Sequence, residues 1–172
     1  MPLSEPLRLE IKMRLTEALK QITTANGYVT EVGDSVFRGR AVYGDKDPLP
    51  MISILEVPIP VDLPPAPAGS TYSTGAWELM IQGFAVDERD NPTDPADRML
   101  ADTKKRLAIE RKKGAGRRAP ADGILGLGNH ITNIQIGPGV VRPPDELSAK
   151  AYFWLTIQLE LAEDLEDPTG DQ

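Results

Sequence analysis

Near its C-terminus the chain places six apolar residues in strict alternation: Ala151, Phe153, Leu155, Ile157, Leu159 and Leu161. Tyr152, Trp154, Thr156, Gln158 and Glu160 fall between them. Side chains of an extended strand point alternately to its two faces, so this pattern predicts an antiparallel strand with one buried face. At about 3.3 Å per residue it runs roughly 40 Å. A compact domain of 172 residues has a radius of gyration near ~16 Å. The strand therefore spans the domain or overhangs it, and an overhang pairs with something else.

The other elements are read around this one. Leu7, Ile11, Leu15, Ala18, Leu19 and Ile22 recur at three and four residues, which predicts a surface helix, capped by Ser4 and ended by Asn26-Gly27. Strands are predicted at Tyr28–Val32, Val36–Arg40 and Met51–Val57, with a turn at Gly33-Asp34. Ala76–Val86 is almost wholly apolar, as suits an interior strand. Asp94 is read as the cap of a second helix with Pro95 and Asp97 in its first turn and Ala96, Leu100, Thr103 and Leu107 facing inward. Ile131–Ile136 is a further strand, followed by a Gly137-Pro138-Gly139 turn and a loop at Arg142–Glu146.

This order predicts an α+β fold: a mostly antiparallel, possibly mixed, sheet of about four to six strands with two helices packed on one face. Residues 1–162 are read as one domain. It carries a proline-rich arm or loop at 57–72, with prolines at 58, 60, 64, 65 and 67, and a Gly/Arg-rich loop at 112–130. Residues 163–172 are read as an acidic disordered tail.

The absence of cysteine removes disulfides, thiolate metal sites and cysteine nucleophiles. The charged N-terminal stretch has no signal-peptide core, and no apolar run approaches membrane-spanning length, so the protein is read as cytoplasmic. The net charge of −7 is unevenly distributed. Eight basic residues lie between Lys104 and Arg118 against Glu110 alone, whereas the C-terminus is acidic. Such asymmetry suits contact with a charged partner or a neighbouring subunit, or else a solvated helix face and tail.

Candidate chemistry is sparse. His130, the only histidine, sits among glycines, and no serine lies in a nucleophile elbow. Gly114–Ala119 matches the letters of a dinucleotide fingerprint but follows a basic helix rather than a strand, and Gly123–Gly128 lacks the Lys-Ser/Thr ending of a P-loop. It is read as a flexible loop. The carboxylates Asp87, Glu88, Asp90, Asp94 and Asp97 lack the spacing of a calcium loop. Arg111–Arg118 has no aromatic residues on which bases could stack, although phosphate contact needs charge only. No catalytic, cofactor-binding or metal-binding residue is assigned, and an enzyme is not expected. The partner-interface candidates are Arg111, Lys112, Lys113, Arg117 and Arg118, with Pro64, Pro65 and Pro67 of the arm.

Several stretches together resemble a known family. A first helix ends in Thr24-Ala25-Asn26-Gly27-Tyr28, followed by Gly33 and Val36-Phe37-Arg38-Gly39. Pro48–Pro50 leads into Met51-Ile52-Ser53-Ile54-Leu55-Glu56. Trp77-Glu78-Leu79, Gln82-Gly83-Phe84 and Asp94-Pro95-Ala96 come next, and the long Ala151–Glu160 strand closes. Over roughly residues 5–162 this arrangement resembles the tail-terminator (tail-completion) subunits of long-tailed bacteriophages. The resemblance implies a structural virion protein of the tail or neck, assembled in the host cytoplasm. Six copies form a ring that caps the tail tube, stops its polymerisation and offers a joining surface to the head side. The implied partners are the chain itself, the tail tube protein and a head-completion or connector protein, with DNA only passing through the lumen. No cofactor, membrane or small-molecule substrate is implied. The proline-rich segment and the Gly/Arg loop depart from the family pattern. The residues also leave open another neck or head–tail connector protein, and a DNA-binding module using the basic 104–118 segment.

Overall fold

The alternating segment organises the sheet. In the computed structural model, which describes residues 3–57, 66–114 and 123–170, it forms a 13-residue strand, β6 (Tyr152–Asp164). Its antiparallel neighbour β3 (Tyr72–Phe84) matches it residue for residue, from Tyr72 opposite Asp164 to Phe84 opposite Tyr152. β2 (Met51–Glu56) pairs antiparallel with β3, but only with its second half, Leu79–Phe84. β1 (Val36–Arg38) lies parallel to β2 at one edge. β4 (Ile131–Ile136) and the short β5 (Val140–Arg142) pair with successive stretches of β6 at the other. The fold is α+β, a six-stranded, mostly antiparallel sheet of order β1-β2-β3-β6-β4 with β5 also on β6.

Two helices cover one face, α1 (Leu7–Lys20) and α2 (Asp94–Lys113). The apolar stripe of α1 is fully engaged: Leu7, Ile11, Leu15, Ala18 and Leu19, with Ile22 just beyond the helix end, all join the main core. From α2 come Met99, Leu100 and Leu107, and from the sheet Ile52, Ile54, Trp77, Leu79, Ile81 and the odd-numbered apolar residues of β6 from Phe153 to Leu161. A bulge between Ile131 and Asn133 lets Ile131 and Ile134, three residues apart, face the same core.

Among the described residues the opposite face is covered at one end only. Met51, Phe84 and Tyr152, aligned across β2, β3 and β6, form a second cluster with Phe37, Tyr43, Leu49 and Trp154. Tyr152 thus lies on the side opposite Phe153, as alternation requires, yet is 1% exposed.

Several local expectations are corrected. Tyr28–Val32 is not a strand. The Val29 and Thr30 amides donate to the Asp102 carboxylate of α2 at 2.9 and 2.7 Å, and the Val32 amide donates to the Ile22 carbonyl. With its amides bound this way the segment has no sheet partner, and β1 pairs with β2 instead. Asp102→Ala should therefore cost about 1–3 kcal/mol, since it strips an acceptor from two amides. Thermal unfolding of the variant would measure it.

Ser4 does not cap α1. Its hydroxyl donates to Glu10, and Pro6 occupies the cap position. α1 ends at Lys20, a one-turn 3₁₀ helix at Thr24–Asn26 follows, and Gly27 (φ 79°) turns the chain. Asp94 is the first residue of α2 rather than its cap, which is Thr93. Gly123–Gly128 is folded, not loose: Ile124, Leu125 and Leu127 are buried beneath the helices. Residues 163–170, read as the start of a disordered tail, instead finish β6 and return to the N-terminus. There Leu3 and Leu7 donate their amides to the Thr169 and Pro168 carbonyls.

Candidate functional site

Arg111, Lys112 and Lys113 form the exposed last turn of α2, where positive charge suits the helix C-terminus. Lys113 reaches back to Glu110 at 2.7 Å. Pro67 is exposed, and its carbonyl accepts the Ser70 amide in the turn before β3. No hydrogen bond or ion pair among the described residues joins Pro67 to Arg111–Lys113. Pro64, Pro65, Arg117 and Arg118 lie outside the described residues.

His130 borders a cleft of about 310 Å³ shared with Leu7, Tyr72, Glu163, Asp164 and Asp167. Among the described residues no serine, threonine or cysteine lines it. Glu163 is engaged by Arg8 at 3.0 Å, and the His130 backbone bridges Leu127 and Ala162. The histidine joins a turn to the sheet. A larger groove of about 490 Å³ runs between α1 and β1, but its polar lining is internally committed. Arg14 binds Glu10 at 2.7 Å and the Leu125 and Gly126 carbonyls at 3.4 and 3.2 Å, and Arg38 binds Thr16 at 3.0 Å. The Arg14 hydrogen bond, aided by Ser4, holds the Glu10 carboxyl below the ordinary glutamate value despite its burial.

The carboxylates after β3 are dispersed. Asp87 pairs with Lys150, Glu88 accepts the Asp90 amide, and Asp94 faces Arg98. Among the described residues no three His, Cys, Asp or Glu side chains gather as metal ligands. The other titratable pair of note closes the second cluster. Tyr152 donates to Asp145 at 2.8 Å, which lowers the carboxyl pKa, while burial and the same carboxylate raise that of the phenol.

What stands out is surface rather than cavity. β2 leaves β3 at Leu79, so the edge of β3 from Tyr72 to Glu78 faces no described strand. Beside it, the half of the sheet that no described element covers presents Glu78, Glu160 and Asp164, all partly exposed. Sequence reasoning missed both features. Tyr72-Ser-Thr-Gly75 carries no apolar alternation and becomes a strand only because β6 dictates its partner. The one available signal was the excess length of the β6 pattern.

No family model matches this chain, and no curated protein matches it. Its function is therefore read from its own surfaces.

Proposed function

We propose that this chain is a ring-forming structural subunit of a phage tail, a tail terminator that caps the tube, stops its growth and presents a head-side joining surface. The observation that supports this reading most is the edge of β3 that no described strand covers. Seven residues, Tyr72–Glu78, run about 24 Å at ~3.4 Å each, hydrogen-bonded to β6 on one side and facing no described strand on the other. Monomeric proteins blunt such edges, because the exposed amides and carbonyls template pairing with another chain. Tyr72 and Leu165, 57% and 59% exposed, put apolar surface at the tip of the same ribbon. Edge and tip together suit a subunit whose surface is completed by neighbours.

Light scattering and particle images of the purified protein, with and without cognate tail tubes, test the proposal. Six-membered rings, free or seated on tube ends, are the expected result. A chain that stays monomeric and leaves tube ends bare would refute it. Binding to the head-side connector in place of the tube would move the assignment to a neck protein. Steeply salt-dependent DNA affinity without assembly would favour the nucleic-acid reading of the basic segment.

A further inference from the structure

Two patches of opposite charge lie on opposite sides of this two-layer fold, and each keeps charges without an ion-pair partner among the described residues. The first is the outer side of α2. Between Arg98 and Lys113 the helix has seven basic side chains, while its two carboxylates there, Asp102 and Glu110, are buried and occupied. Lys105 is spent on the Gly27 carbonyl and the Tyr28 ring, and Lys113 on Glu110. Arg111 and Lys112 project from the last turn, exposed and without an ion-pair partner among the described residues.

The second patch is the open half of the sheet, on the face away from both helices. Glu78 accepts a bond from Gln158 at 3.4 Å, Glu160 from Gln135 at 3.1 Å and Asp164 from the Glu166 amide at 3.1 Å. None of the three meets a lysine or arginine among the described residues, and the strands carry no basic residue on this half-face. At its head Gln82 stands opposite Trp154, with the Gln82 Oε1 and the Trp154 Nε1 buried and without hydrogen-bond partners among the described residues.

We infer that copies of this chain join head to tail, the basic end of α2 on one copy docking on the acidic open sheet face of the next. The inference rests on the ring-forming reading and names its interface. Because the two surfaces are different and lie on opposite faces, the contact repeats from copy to copy and closes wherever the rotation closes. Complementary charge also fixes the order of approach, since two helix faces or two sheet faces repel.

The test uses the full chain and three variants: Arg111→Glu with Lys112→Glu, Glu78→Lys with Glu160→Lys, and all four changes together. All four sites are at least partly exposed, so circular dichroism should match the wild type in each. Light scattering and particle images with tail tubes are expected to show self-association weakened at least about tenfold in each double variant. It should return in the fourfold variant, and also when the two double variants are mixed, since each then supplies the other's missing charge. Unchanged assembly of the double variants, or no recovery on mixing, would overturn the interface while leaving the ring reading intact. Wild-type protein that never self-associates, even at tube ends, would overturn both. Loss of DNA affinity in the Arg111/Lys112 variant, with its assembly unchanged, would also overturn the interface.

Discussion

Gly83→Ala should destabilise this domain by roughly 2–3 kcal/mol, and Phe153→Ala by about 3–5 kcal/mol, through opposite failures of one contact. Gly83 of β3 stands opposite Phe153 of β6. A β-carbon built on Gly83 would sit 2.1 Å from the Phe153 Cε1 and below 3 Å from two further ring atoms. The ring is 0% exposed and belongs to the main core, so it cannot swing into solvent to make room. Alanine at 83 therefore forces the ring off its rotamer or the strands apart. Alanine at 153 leaves a cavity between the sheet and the helices. Against a domain stability of about 5–15 kcal/mol, either change removes a large fraction.

The pair also makes a sharper test than either change alone. Phe153→Leu shortens the ring side and should restore part of what Gly83→Ala loses, so the double variant should be clearly less destabilised than the two costs summed. Urea denaturation of the four proteins measures this. Simple additivity would mean that the glycine is not there to admit the ring.

That contact illustrates how much of the fold the letters carried. β6, β4 and the buried stripe of α1 were legible, because each presents one apolar face to one core and periodicity reports that directly. Tyr28–Val32 misled, since its alternation resembles a strand while its Val29 and Thr30 amides are bound by Asp102, 73 and 72 residues distant in sequence. Gly123–Gly128 misled in the other direction. Its glycines suggest a loose loop, but Ile124, Leu125 and Leu127 between them are core residues. Of the charged surfaces, the basic turn at Arg111–Lys113 is contiguous and could be read at once. The acidic face could not, because Glu78 and Glu160 are joined only through the register of β3 on β6. Local charge is visible in a sequence; charge assembled by strand pairing is not.

The largest single electrostatic effect is expected at Glu110. Its side chain is 2% exposed and is clasped by Arg106, itself 15% exposed, and by Lys113 at 2.7 Å. Its second oxygen accepts the amide of Leu125 at 3.3 Å. Leu125 holds a positive φ of 55°, a conformation a branched side chain seldom adopts, so this bond helps to keep a strained residue in place. Glu110→Leu removes the carboxylate and leaves the largely buried Arg106 guanidinium without its counter-charge. Among the described residues the Arg106 Nε already lacks a hydrogen-bond partner. Breaking one half of such a pair costs about 3–5 kcal/mol, whereas replacing both halves with apolar groups of similar size is often neutral. Glu110→Leu alone should therefore lower the urea midpoint strongly, and adding Arg106→Met should recover most of the loss. The Leu125 amide would stay unsatisfied in both variants, so recovery should fall short of complete by about 1–3 kcal/mol. A Glu110→Leu protein as stable as the wild type would show that the carboxylate neither balances Arg106 nor anchors the turn beneath α1 and α2.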